Sequence, residues 1–234
     1  MKNRTKRKSL VRIYLDLETY RPIEKEAFIG ENIILIGLLK DKPGFKYESF
    51  ENFELEDKKR FKREKEILKQ FYNYLKNLRE NYNVEIIGFN ILRFDIPLII
   101  SKSLRHNIVS DVFESELSEK RNILGNYVHE ADFINNWWHN MYTIDIAQIL
   151  LSFNKFYFKK LKLKDMAMKL KEKFNCEIKD LETQSLEGEM IAKLFENKRF
   201  DEIREKNKID LEITRYVYLC LKKIFEKNCV TAVC

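Results

Sequence analysis

The spacing of apolar residues changes period along the chain, and each change marks an element. Residues 11–17 and 32–39 (NIILIGLL) are short, β-branched apolar runs of strand length. Residues 45–53 return as a third strand after the turn-like Asp41-Lys42-Pro43-Gly44, which makes an opening meander. Over residues 56–80, Ile67, Leu68, Phe71, Leu75 and Leu78 recur at helical spacing among charges and predict a long amphipathic helix. Residues 84–89 (VEIIGF) read as a buried strand, and Pro97 suits the first turn of a helix running to Arg105. A short strand at 142–144 follows. Helices are then expected at 146–151, 163–174, 185–195 and 208–225.

This order predicts an α/β fold with a mixed sheet flanked by helices and a helical C-terminal half. The 234 residues suit one domain, expected over 10–228, between a basic tail at 1–9 and a C-terminal tail at 229–234. Residues 107–141 have mixed charge and little periodicity, which marks them as an insertion candidate. Within them, the adjacent Trp137 and Trp138 suit either base stacking or one core ring beside one surface ring.

Composition narrows the class. With 6 Gly, 3 Pro and 44% hydrophobic residues, the chain is neither collagen-like nor disordered. No apolar run reaches the roughly 20 residues of a membrane span, and the start MKNRTKRK has no signal-peptide core, so a soluble, cytoplasmic protein is expected. Cys176, Cys220, Cys229 and Cys234 form no CxxC pair, which predicts reduced thiols. The net charge of +7 sits mostly in residues 1–8, and the remainder carries 39 basic against 37 acidic residues. Such a tail either touches phosphates without specificity or is simply solvated.

The acids carry the chemistry. In YLDLET (14–19), Asp16 and Glu18 alternate onto one face of a strand, about 6–7 Å apart. Two carboxylates so placed either share a hard divalent cation or are exposed strand-end acids. In GFNILRFDIPL (88–98), a buried strand turns into a helix, and Asp95 lies at the sheet's C-terminal edge, where open α/β folds place ligands. Asp95 also reads as a helix N-cap ahead of Pro97.

Together these two segments resemble the first and second motifs of DEDD-type 3′-5′ exonucleases, whose fold is ribonuclease H-like. The nearest likeness is to the proofreading domain of family B DNA polymerases and its stand-alone relatives. YTIDI (142–146) and LKDMA (163–167) resemble later segments of the same family, and EKNKIDLEIT (205–214) resembles its third motif. That likeness makes Asp210 the fourth acid, with Asp201 as the competing choice.

The resemblance implies a two-metal phosphodiesterase that trims single-stranded 3′ ends and releases 5′-nucleoside monophosphates. Asp16, Glu18, Asp95 and Asp210 would hold two Mg²⁺ or Mn²⁺ ions, Asp16 bridging them. Thr19, Asn90 and Phe94 would line the terminal-nucleotide pocket, Phe94 alternatively being a core ring. DNA is expected ahead of RNA, with a replication or repair protein as partner and no membrane.

The third motif departs from the family. The tyrosine subclass has Tyr four residues before its last Asp and the histidine subclass has His five before, whereas here those positions hold Lys206 and Glu205. His106 stands five residues before Asp111, but too close to Asp95 to be that pair. Lys206 either holds the water or scissile phosphate, with a pKa lowered by desolvation, or is a solvated helix-surface lysine. The aromatic and basic stretch 154–160 reads as a strand-binding surface or as core. Two other functions stay open: a degenerate fold that binds nucleic acid or a partner without cutting, and a 3′-5′ exoribonuclease.

Overall fold

Strand β1 (Ser9–Tyr20) is the centre of a five-stranded sheet ordered β3-β2-β1-β4-β5. β2 (Asn32–Lys40) and β3 (Lys46–Glu51) add antiparallel on one side, as the opening meander requires. β4 (Tyr82–Gly88) and β5 (Tyr142–Asp145) add parallel on the other, each reached through helical crossovers. The helices are α1 (Asp57–Asn81), α2 (Asp95–Arg105), α3 (Ile108–Leu124), α4 (Glu130–His139), α5 (Ile146–Leu150), α6 (Leu163–Phe174), α7 (Gly188–Glu196) and α8 (Phe200–Thr231). This computed structural model describes residues 8–22, 28, 30–41, 44, 46–124, 128–151, 161–177 and 188–231. The stretch 154–160 and most of the basic tail lie outside the described residues.

Alternation along β1 divides the core. Val11, Ile13, Leu15 and Leu17 face α1, where Ile67, Leu68, Phe71 and Leu75 close the main core. Tyr14, one residue out of phase, faces the opposite layer of α5, α6 and α8. A smaller cluster joins Ile34 and Leu35 of β2 to Ile191, Leu194 and Phe195 of α7 and Ile203 of α8. Helices on both faces of a mixed sheet make a ribonuclease H-like α/β fold.

Within residues 107–141 lie α3 and α4, whose Phe113, Leu117, Phe133, Ile134 and Trp138 belong to the main core. The Trp138 Nε1 donates to the Tyr72 hydroxyl at 3.0 Å, and Trp137 packs edge-on against Tyr72 and Phe113. Both rings therefore serve packing. His106 is buried with Nε2 2.7 Å from Glu64 Oε2, whereas Asp111 pairs with Lys65 and Lys69 on the surface of α1. They form no site together.

Two expectations need correction. The last helix begins at Phe200, eight residues before the expected start at Lys208, because Phe200 and Ile203 pack against α7 while the following inward positions are polar. The thiols of Cys176 and Cys220 are not free: they form a disulfide across 44 residues, joining the chain just after α6 to α8. The packing of α6 on α8, through Met166, Ala167, Leu170 and Val217, brings the two cysteines together.

Candidate active site

The same alternation that points Tyr14 toward α8 sends Asp16 and Glu18 to that face. Glu18 is buried and Asp16 half-buried. Just past Glu18 the pairing with β2 is irregular: Glu18 opposes Leu35 but Thr19 opposes Ile33, leaving Ile34 as an extra residue. This bulge ends the regular ladder at the acids.

Helix α8 crosses that face and presents three groups within about one turn. Lys206 Nζ donates to Glu18 Oε1 at 2.8 Å and to Asp210 Oδ2 at 2.9 Å. Asn207 Nδ2 donates to Asp16 Oδ2 at 2.8 Å, while Asn207 Oδ1 accepts from the Tyr47 hydroxyl at 3.2 Å. Ligand oxygens of Asp16, Glu18 and Asp210 all lie within 4.8 Å of one another. Asp201, the competing third-motif acid, is instead exposed and paired with Arg204.

Asp95 enters from the other side of β1. It is the first residue of α2, and rather than capping that helix it accepts from the Leu17 backbone N–H at 3.0 Å. The β1–β4 ladder ends at the pair Tyr14 and Ile87, so this N–H lies beyond the sheet bonds on that edge. The side chain thus ties the start of α2 to the strand that holds Asp16 and Glu18.

A further acid organises the turn before α2. Asp145, at the end of β5, accepts from Asn90 N at 2.8 Å and Leu92 N at 3.1 Å, and caps α5 through Ala147 N at 2.9 Å. Asn90 has a left-handed backbone, φ 66°, and its carbonyl accepts from the N–H groups of Arg93 and Phe94. Gly88 is needed here because a Cβ would meet the Leu15 carbonyl at 2.8 Å. Phe94 is half-buried on the edge of the main core and meets Phe28 edge to face, with centroids 6.2 Å apart. Thr19, also half-buried, sits at the bulge beside Glu18.

The electrostatics follow from burial. Desolvation pushes Asp16 well above the usual carboxylate range, with Glu18 adding to the effect and Lys206 opposing it. Glu18 is raised for the same first reason, again against Lys206. Asp95 is pushed up to about 7 by burial, despite the stabilising Leu17 N–H bond, and Glu18 and Asp145 push in the same direction. For Lys206, burial disfavours the charge, but Glu18, Asp210 and Asp16 outweigh it and the pKa stands above that of an ordinary lysine.

The expected alternatives for Lys206 are narrowed: its side chain is only 13% exposed, so it is no solvated surface residue, and the neighbouring carboxylates raise its pKa where desolvation was expected to lower it. The acids that surround it are hard oxygen donors, Glu18 buried and Asp16 and Asp210 partly so, and mutually repelling, which is the donor set a hard divalent cation requires. Residues present and group implied therefore fit.

Residues 29–228 match the family described as predicted 3′-5′ exonucleases related to the exonuclease domain of PolB. The chain belongs to that family. The matched span contains Asp95 and Asp210, whereas β1 with Asp16 and Glu18 precedes it; the fold brings oxygens of Asp16 and Glu18 to Asp210. The family B DNA polymerase of the hyperthermophilic archaeon Pyrobaculum calidifontis has a similar structure, with a TM-score of 0.55 at 12% identity, over 89% of this chain and 24% of the polymerase. At that identity the likeness speaks for the fold alone, and the chain spans about a quarter of the polymerase's length. No curated protein matches the sequence.

Three contributors to this acidic site were not expected from sequence: Asn207, Asp145 as organiser of the turn, and Gly37. The last had a signal, since a glycine inside the apolar run NIILIGLL marks a close approach of another group. Among the described residues, no helix is long and apolar enough to cross a membrane.

Proposed function

We propose that this protein is a divalent-cation-dependent 3′-5′ exonuclease that hydrolyses single-stranded ends, DNA in preference to RNA. One observation carries the reading: oxygens of Asp16 and Glu18 from a strand and of Asp210 from a helix lie within 4.8 Å of one another, with Asp95 buried beside them.

Water attacks the terminal phosphorus, the bond from phosphorus to the 3′ oxygen breaks, and that oxygen takes up a proton, so a 5′-nucleoside monophosphate leaves. Bound Mg²⁺ or Mn²⁺ supplies Lewis acidity toward the phosphoryl oxygens and lowers the pKa of the attacking water. The chain's own residues hold and orient. Asp16, Glu18 and Asp210 provide the cation ligands, Asp95 supports them from behind β1, and Asn207 fixes the Asp16 carboxylate. Thr19, Asn90 and Phe94 border the terminal nucleotide, and Lys206 offers a positive charge to its phosphate. The kinship with family B polymerase domains supports DNA, and a replication or repair protein as partner of a soluble, cytoplasmic enzyme.

A second reading has its own observation. Because Lys206 already bonds two of the acids, a fold that binds nucleic acid or a partner without cutting is favoured if cations cannot enter. Digestion of 5′-labelled single-stranded DNA and RNA of one sequence, with Mn²⁺, Mg²⁺ or EDTA, separates the readings. A cation-dependent ladder shortened from the 3′ end, absent for Asp16→Ala, supports the exonuclease and ranks the two strands. Binding of both strands without cleavage refutes it.

A further inference from the structure

We infer that Lys206 is a tethered cation that takes one of the two cation positions of this site, so that the chain works with a single divalent ion plus its own ammonium group. The inference rests on the exonuclease reading above and specifies how that site is charged.

The geometry is that of a counter-ion. The Lys206 ammonium lies 2.8 Å from a Glu18 oxygen and 2.9 Å from an Asp210 oxygen, and these two carboxylates belong to the set whose oxygens lie within 4.8 Å. A Mg²⁺ ion ligated by the same two oxygens would stand about 2.0–2.1 Å from each, in the volume the ammonium fills. Lys206 reaches this position from one helical turn before Asp210, the i,i+4 spacing at which side chains on a helix meet. Its side chain is enclosed, with 13% exposure.

Lys206 also reduces the charge that a metal must neutralise: ionised Asp16, Glu18, Asp95 and Asp210 carry four negative charges, and the ammonium offsets one of them. The substitution also accounts for the family's missing tyrosine position: Lys206 stands at that place in the third motif and contributes a charge there. An ammonium carries half the charge of a divalent ion and is no Lewis acid, so the phosphate receives weaker electrostatic stabilisation than from an ion pair of metals.

The test counts ions on the full chain. Mn²⁺ is titrated by calorimetry and by electron paramagnetic resonance in the presence of a 5′-deoxynucleoside monophosphate. The wild type should hold one Mn²⁺ per chain with the spectrum of an isolated ion. Lys206→Met should take a second ion and show the exchange-coupled signal of a close pair. Lys206→Gln serves if the methionine variant does not fold, and two ions in the wild type count against the inference without either variant. Two coupled ions in the wild type, or a single ion in both proteins, would overturn the inference. If the wild type cleaves with two ions bound, only this inference fails. If it binds no ion and does not cleave, the exonuclease reading fails as well.

Discussion

The side-chain amide of Asn207 occupies the space where a Cβ at position 37 would have to lie. Gly37 sits directly opposite Asp16 in the β1–β2 pairing, so the missing side chain on one strand makes room for the helix group that orients the acid on the next. Gly37→Ala should push Asn207 off Asp16. The expected cost is about 1–3 kcal/mol of stability, together with about 10–100-fold weaker Mn²⁺ binding as supporting contacts are lost. In an Asn207→Ala background the same alanine should cost little stability. Denaturant midpoints of the two single variants and the double variant, with Mn²⁺ titrations of each, check the coupling.

Asp16 is raised by desolvation and by Glu18 beside it, which makes its ionised form unfavourable without cations. Asp16→Asn should therefore abolish cleavage and yet melt higher than the wild type in EDTA, by about 2–4 °C for each kcal/mol of repulsion relieved. Addition of Mn²⁺ should raise the melting temperature of the wild type by mass action and leave that of the variant nearly unchanged. Thermal scans with EDTA and with Mn²⁺ measure both effects. A variant less stable than the wild type in EDTA contradicts the repulsion.

The pKa of Asp95 near 7 fixes a pH window. The folded state holds the proton more tightly than the unfolded chain, whose Asp titrates near 3.9, so the contribution of Asp95 to stability is full below about pH 4. It declines as the pH rises toward 7, with a slope of at most about 1.4 kcal/mol per pH unit. Asp95→Asn should flatten that decline in EDTA. Cleavage should rise through the same range as the carboxylate ionises and supports the cation site. Melting curves of both proteins between pH 4 and 8, beside a pH-rate profile, test the sign.

Asp145 holds three backbone N–H groups, and two of them belong to the turn that carries Asn90 and leads to Asp95. Asp145→Ala should cost about 2–4 kcal/mol, since buried donors lose a charged acceptor. Asp145→Asn keeps one oxygen able to accept from Asn90 and Ala147 and should cost about half as much. Because the turn borders the proposed terminal-nucleotide pocket, the alanine variant should raise KM more than it lowers kcat. Chemical denaturation and steady-state kinetics on a labelled oligonucleotide provide both readouts.

What could be read in advance depended on whether the inward-facing residues were apolar. The sheet and α1 were legible because their buried faces are Ile, Leu, Val and Phe at regular periods. The first two turns of α8, residues 200–207, were not, because they end on Lys206 and Asn207 turned toward the acids of the sheet, and a polar inner face erases hydrophobic periodicity. Asp16 and Glu18 stood out through strand alternation, whereas Asp145 was named only within the segment YTIDI, because its partners are backbone N–H groups that leave no mark in a sequence. The helix start at Asp95 was visible, but its bond to Leu17, 78 residues away, was not. The Cys176–Cys220 bond was hidden similarly, since its two halves meet only after α6 packs on α8.

Because Lys206 and Asp210 both ride on α8, the rise of the helix places them about 6 Å apart along its axis and on one side. No loop has to close to bring them together. Position 206 is thus set by the helix alone, and the charge it brings to Glu18 and Asp210 depends on a single side chain held on a regular element.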